Sequence, residues 1–122
     1  MRSLILLVCI PLLLSIRARA EDIKLGPGGC LIVSNLEFTR ATGDPLTGQG
    51  PHLKGTVQNT CSEQMTLTGT TFFLNGKNEV GYGLVVQKVA KGLTAIFDSF
   101  AAAPESVNAT TAALSNAKAF QQ

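Results

Sequence analysis

Residues 30–61 read CLIVSNLEFTRATGDPLTGQGPHLKGTVQNTC, and this stretch decides the fold. Its second half, His52 to Asn59, alternates cleanly. Leu53, Gly55 and Val57 fall on one side and His52, Lys54, Thr56 and Gln58 on the other, the period-two pattern of a half-buried strand. Its first half, Cys30 to Phe38, alternates less regularly and reads as the partner strand, with Ile32, Leu36 and Phe38 on one face. Between them Arg40 to Pro51 is dense in Gly, Pro, Asp and Thr, the composition of a loop. Antiparallel partners have residue numbers of constant sum. If Thr39 faces His52 to close the loop, the same sum pairs Phe38 with Leu53, Leu36 with Gly55, Ser34 with Val57 and Cys30 with Cys61, and the inward faces of the two strands coincide. Both cysteines then lie at the open end of the hairpin. A disulfide there would close a loop of about thirty residues and contribute roughly 3–4 kcal/mol; two separate buried thiols are the alternative.

The same alternation continues downstream. After a turn at Asn59 to Gln64, the β-branched run Met65 to Leu74 reads as a strand with Phe72 and Leu74 on one face and Phe73 on the other. Asn75-Gly76 is the signal of a tight hairpin. Glu79 to Lys88 then places Val80, Tyr82, Leu84 and Val86 on one side and Gly81 and Gly83 on the other, where small residues suggest close packing or a bend. Leu93 to Phe100 follows, with Leu93, Ala95 and Phe97 inward and Ile96 and Phe100 outward. In the tail, Ala112 to Phe120 fits a helix on propensity or a final edge strand; strand is preferred because a lone short helix would bury little. Upstream, Glu21 to Gly29 is a polar, Gly/Pro-rich lead-in. No repeat, low-complexity run or linker divides the chain. Several short strands at turn-marked spacing make this an all-β protein, a small antiparallel sandwich or barrel of about six to seven strands.

The N-terminus reads as a cleavable secretory signal over residues 1–20. Arg2 provides the positive start, Ser3 to Ile16 an apolar run, and Ala18-Arg19-Ala20 a small-x-small cleavage site. The run is shorter than the roughly 20 residues a bilayer-spanning helix needs, so no stable membrane insertion is expected after cleavage. Residues 21–122 form one domain, with localisation in the periplasm or outside the cell. Of the three cysteines in the chain, Cys9 leaves with the signal; Cys30 and Cys61 remain, an even count that suits an oxidising compartment. Three of the ten basic residues leave as well, so seven Lys and Arg face eight Asp and Glu and the formal charge becomes −1. Nucleic acid therefore loses its electrostatic motive as a partner.

From Gly55 to Phe97 the chain resembles the FxLYD-type domain of exported, mostly bacterial, proteins. The resemblance is carried by Gly55-Thr56-Val57-Gln58-Asn59-Thr60, by Phe72-Phe73-Leu74-Asn75-Gly76 at the signature, by Gly81 after the hairpin, and by Gly92 five residues before Phe97. Asn75-Gly76 stands where the signature has Tyr-Asp. The resemblance implies an immunoglobulin-like β-sandwich acting as an accessory or interaction module, with no catalytic residue to carry over.

The residues point the same way on chemistry. His52 is the only histidine and has no cysteine or acidic cluster at metal-ligand spacing beside it. No nucleophile elbow is written in the chain, and the carboxylates are scattered. The Gly-rich runs 26–29 and 48–51 lack the Lys-Ser/Thr ending of a phosphate loop. No catalytic, cofactor or metal residue is therefore assigned. Asn108-Ala109-Thr110 matches a glycosylation sequon that only a eukaryotic secretory route would use. The remaining signal is surface character: Phe73, Val85, Ile96 and Phe100, placed on outward positions of different strands, could form one apolar patch for a protein partner, or else face the second sheet. A ligand site with the loop 40–51 as its mouth over Phe38, Leu53 and Phe97, and a polymer subunit donating its tail as a strand, are the other two functional classes.

Overall fold

A computed structural model describes residues 22–121; the signal-peptide reading of residues 1–20 lies outside the described residues. Seven strands form two antiparallel sheets: β1 (Ile23–Leu25), β2 (Leu31–Thr39), β3 (His52–Asn59), β4 (Met65–Asn75), β5 (Asn78–Val89), β6 (Thr94–Phe100) and β7 (Thr111–Gln121). One sheet has the order β1-β2-β3-β6 and the other β5-β4-β7. The tail is thus an edge strand, and the lead-in holds a short strand followed by a 3-10 turn at Pro27–Gly29. The Asn-Gly signal makes the tight β4–β5 hairpin, in which Asn75 pairs with Asn78 and Gly76 takes a left-handed φ of 65°.

The chain alternates between layers in a Greek-key manner. The β2–β3 hairpin belongs to one sheet and the β4–β5 hairpin to the other; β6 then returns to pair with β3 and β7 to pair with β4. The pairings β2-β3-β6 and β5-β4-β7 are those of strands D-E-B and G-F-C of an immunoglobulin sandwich, with the chain order permuted so that both hairpins come first.

The register of β2 on β3 follows expectation near the loop, where Thr39 faces His52 and Phe38 faces Leu53. It then shifts by one between Glu37 and Ser34, so Ser34 faces Thr56 and Val33 faces Val57 rather than Ser34 facing Val57. Asn35 and Leu36 together oppose Gly55, and Asn35 has the left-handed φ of 55° that a bulge requires. One extra residue exchanges the faces of the strand. Leu31 and Val33 are buried where Ile32 was expected inward, while Leu36 and Phe38 keep their place. Cys30 is consequently not directly opposite Cys61; its carbonyl accepts from Thr60 N–H at 2.9 Å. The two sulfurs are bonded all the same, with Cα atoms 4.9 Å apart, within ordinary disulfide reach.

A second bulge of the same kind lies in the other sheet. Asn116 and Ala117 of β7 oppose Gly69 of β4, and Asn116 also has φ 55°. Each bulge follows a serine, Ser34 or Ser115, and each faces a glycine inside a Leu-x-Gly-Thr run, 53–56 or 67–70. The core between the sheets contains Leu31, Val33, Val57, Leu67, Val85 and Phe97 at one end, and Leu53 and Phe73 at the other.

Candidate functional site: an apolar outer face

From Gly81 to Val89 the odd residues of β5 point inward and the even ones outward; before Gly81 the register shifts, so Val80, expected on the side of Tyr82, Leu84 and Val86, packs against the core and Glu79 is exposed. Val85 and Val89 are buried, and Gly81 and Gly83 sit inside as well, because the opposite layer approaches them closely. A Cβ at Gly81 would come within 2.9 Å of Ser106 Cβ, and one at Gly83 would lie 2.7 Å from Ser99 Oγ and run into the Phe100 carbonyl. The glycines therefore mark the inner face, and the large apolar residues between them are left outside. Tyr82 is 60% exposed, Leu84 66% and Val86 72%.

This arrangement corrects the sequence expectation for the patch. Phe73 is completely buried and Val85 nearly so, because β4 and β5 turn their odd residues to the core; neither belongs to a surface. Phe73 is instead a core ring, 6.4 Å from Phe38. Ile96 and Phe100 are exposed on β6, as expected. Leu93, expected inward, lies in the turn before β6 and is exposed.

The outer face of the β5-β4-β7 sheet is therefore built from other residues. Phe72, Thr70 and Thr68 of β4 pair across with Tyr82, Leu84 and Val86, and on the far side Phe72 and Thr70 pair with Ala113 and Ser115 of β7. Phe120, beside Thr66, is exposed at one end of the face. Lys88 lies toward that end and Glu79, opposite Leu74, at the other, while Lys118 flanks Thr68 on the edge strand β7. At the seam between the layers, Tyr82, Gly83 and Leu84 meet Phe100, Ala102 and Ala103 around an open, mainly apolar hollow of about 550 Å³. Phe100 reaches this hollow from the end of β6, where it shares the outer side of the other sheet with Ile96 and Asp98. Gly83→Ala should force this seam apart and destabilise the domain by about 1–3 kcal/mol, since the obstruction is backbone and cannot rotate away; chemical denaturation measures it.

The outer face of the other sheet is different in kind. Glu37, Lys54 and Asp98 form a cross-strand row of alternating charge. In the next row His52 Nδ1 lies 2.8 Å from Asp98 Oδ1, and its ring stands 5.7 Å from that of Phe100. The carboxylate fixes the imidazole, but no nucleophile is brought to it by any hydrogen bond at the ring. Among the described residues no group of three or more His, Cys, Asp or Glu is placed to hold a metal ion. Also among them, no helix is long and apolar enough to cross a membrane.

The residues expected under the loop mouth are packing elements. Leu53 and Phe97 are buried in the two core clusters, and the Phe97 ring lies directly over Gly55, where a Cβ would come within 2.6 Å of it. The loop is closed on itself by Thr42 and Gly43 N–H groups donating to the Gln49 carbonyl and by the Asp44 cap on Leu46 N–H. Asn108 is exposed at the end of the 3-10 segment Pro104–Asn108.

One buried residue escaped the sequence reading. The Asn59 side chain donates to the carbonyls of Glu63 (2.9 Å) and Val89 (2.8 Å) and accepts from Cys61 N–H (2.8 Å). Its main chain donates to Leu93 O and accepts from Gly92 N–H. Asn59 thereby ties the turn after β3 to the turn between β5 and β6. Set against family models, curated proteins and solved structures, the chain matches none.

Proposed function

We propose that the chain is an exported, non-enzymatic, immunoglobulin-like module that works by protein–protein contact in the periplasm or outside the cell. The observation that carries this reading is the apolar outer face of β5-β4-β7. A sheet face exposed to water ordinarily alternates toward polar residues, yet here the larger apolar side chains of β5 are on the outside and glycines on the inside. A contiguous apolar face of this kind marks an interaction site.

Export is supported by the signal-like residues 1–20 and by the Cys30–Cys61 bond, which belongs to an oxidising compartment. The pieces that carry the FxLYD-type resemblance lie at points of close packing. Gly55 makes room for the Phe97 ring, Gly92 N–H reaches the Asn59 carbonyl, and Gly81 admits Ser106 and Ala101. These residues are points where turns and layers touch, and an accessory role without chemistry is what the resemblance implies.

The test is expression of the whole chain in a host with a periplasm. The exported product should begin at Glu21 and carry two hydrogens fewer than its thiol form, by intact mass. A photo-crosslinker at position 84 should give protein adducts that one at position 58, on the opposite face, does not. Retention in the cytoplasm with residues 1–20 attached would defeat the export reading; adducts at neither position would defeat the interaction reading.

A further inference from the structure

We infer that the partner of the apolar face is a second copy of this chain, stacked on it about a two-fold axis with the two β5 strands antiparallel. This rests on the reading of that face as an interaction surface and adds the identity of what covers it. Three observations favour it. The first is size. At their fractional exposures Tyr82, Leu84, Val86 and Phe120 leave roughly 500 Å² of accessible surface, more than half of the roughly 800 Å² that one side of a standard interface buries.

The second is charge. The face has Lys88 at one end of β5 and Glu79 at the other, with apolar residues between. A copy stacked parallel would bring Lys88 over Lys88. The antiparallel copy brings Lys88 within one residue of Glu79 twice, as an isologous contact requires. Leu84 then lies at the axis and Tyr82 of one copy covers Val86 of the other.

The third is the distribution of polarity between the two faces. The row Glu37, Lys54, Asp98 lies on the far side of the sandwich, so stacking two copies by their apolar faces leaves both charged faces in water. The product is a four-layer body with a polar exterior. The threonines Thr68 and Thr70 in the middle of the face are small enough to allow sheets to approach to the usual spacing of about 10 Å.

Sedimentation equilibrium on the purified exported protein tests this. The wild type should be dimeric with dissociation in the micromolar range or tighter. Leu84→Lys, which sets two ammonium groups at the axis, should weaken association at least a hundredfold, and Gln58→Lys on the opposite face should leave it unchanged. Glu79→Lys should weaken it about two- to fivefold, and Glu79→Lys with Lys88→Glu should restore it. If Leu84→Lys does not fold by circular dichroism, Val86→Glu replaces it. A wild type that stays monomeric at the highest attainable concentration, or a dimer indifferent to both face variants, overturns the inference; failure of the double variant to recover overturns the antiparallel arrangement. A monomer that still gives position-84 adducts with other proteins overturns self-association alone, whereas a monomer without adducts removes the interaction reading as well.

Discussion

Asn59→Asp lowers the thermal midpoint by roughly 12–24 °C, the equivalent of about 3 kcal/mol in a domain of this size. The substitution keeps the shape of the side chain and the oxygen that accepts from Cys61 N–H, but replaces the amide nitrogen by a second oxygen. That oxygen would face the carbonyls of Glu63 and Val89, which lose their donor and gain a repulsive neighbour. At a fully buried site the cost is that of two unsatisfied acceptors together with a desolvated carboxylate. Asn59→Ala removes the donors without adding charge and should cost less than Asp; an Ala variant as unstable as Asp would show that the missing hydrogen bonds, not the charge, dominate. Differential scanning calorimetry on both variants decides between these.

Removing the Cys30–Cys61 bond should cost a similar amount. The two residues are separated by 31 positions, and closing a loop of that length restricts the unfolded chain by about 3.7 kcal/mol in the chain-entropy model. Cys30→Ala with Cys61→Ala should lower the midpoint by about 15–30 °C, and the wild type with reductant should approach the same value. The variant and the reduced wild type must agree, because Cys61 is largely buried and a free thiol there packs much as alanine does. A reduced wild type that melts where the oxidised one does would show that the bond contributes nothing to the folded state. Asn59 and the bond reinforce each other, since Cys61 N–H donates to Asn59 Oδ1, so the triple variant should be less destabilised than the two losses added.

Much of the layering was legible because it depends on alternation and turn chemistry. His52 to Asn59 alternates over its whole length, and Asn75-Gly76 can close a hairpin only as it does. The seven-residue strand at the end of the first sheet was legible by the same means, to within a residue at its start, whereas the tail, where neither period dominates, was placed as a strand only because a lone short helix would bury little. What alternation cannot see is a residue inserted into it. At Asn35 the strand gains one residue, so a register correct at Thr39 is wrong by one at Ser34, and Ile32 exchanges faces with Val33. A signal was nonetheless present: Ser-Asn before a small or branched residue occurs at 34–36 and again at 115–117, and each occurrence faces Leu-x-Gly-Thr.

The candidate site was legible only in part, for a related reason. Ile96 and Phe100 stand alone against polar neighbours on β6 and read correctly as outward. On β5 the assumption that the larger side chains face the core fails, because Ala101, Ser106 and the Phe100 carbonyl already fill the inner space. Two glycines on one side of a strand with bulky residues on the other describe a close approach of two backbones, and the close approach is the inside. Reading Gly81 and Gly83 in that way would have placed Tyr82, Leu84 and Val86 outside and Val85 within.

The covalent loop between Cys30 and Cys61 also sets how the molecule answers to force. Pulled from its two ends, the chain can pay out only the residues outside the loop, while the 31-residue span that holds β2 and β3 stays short. That withholds about 100 Å of contour length at the extension of a fully drawn backbone. Reduction would release it, so the oxidised and reduced molecules would differ in reach as well as in melting.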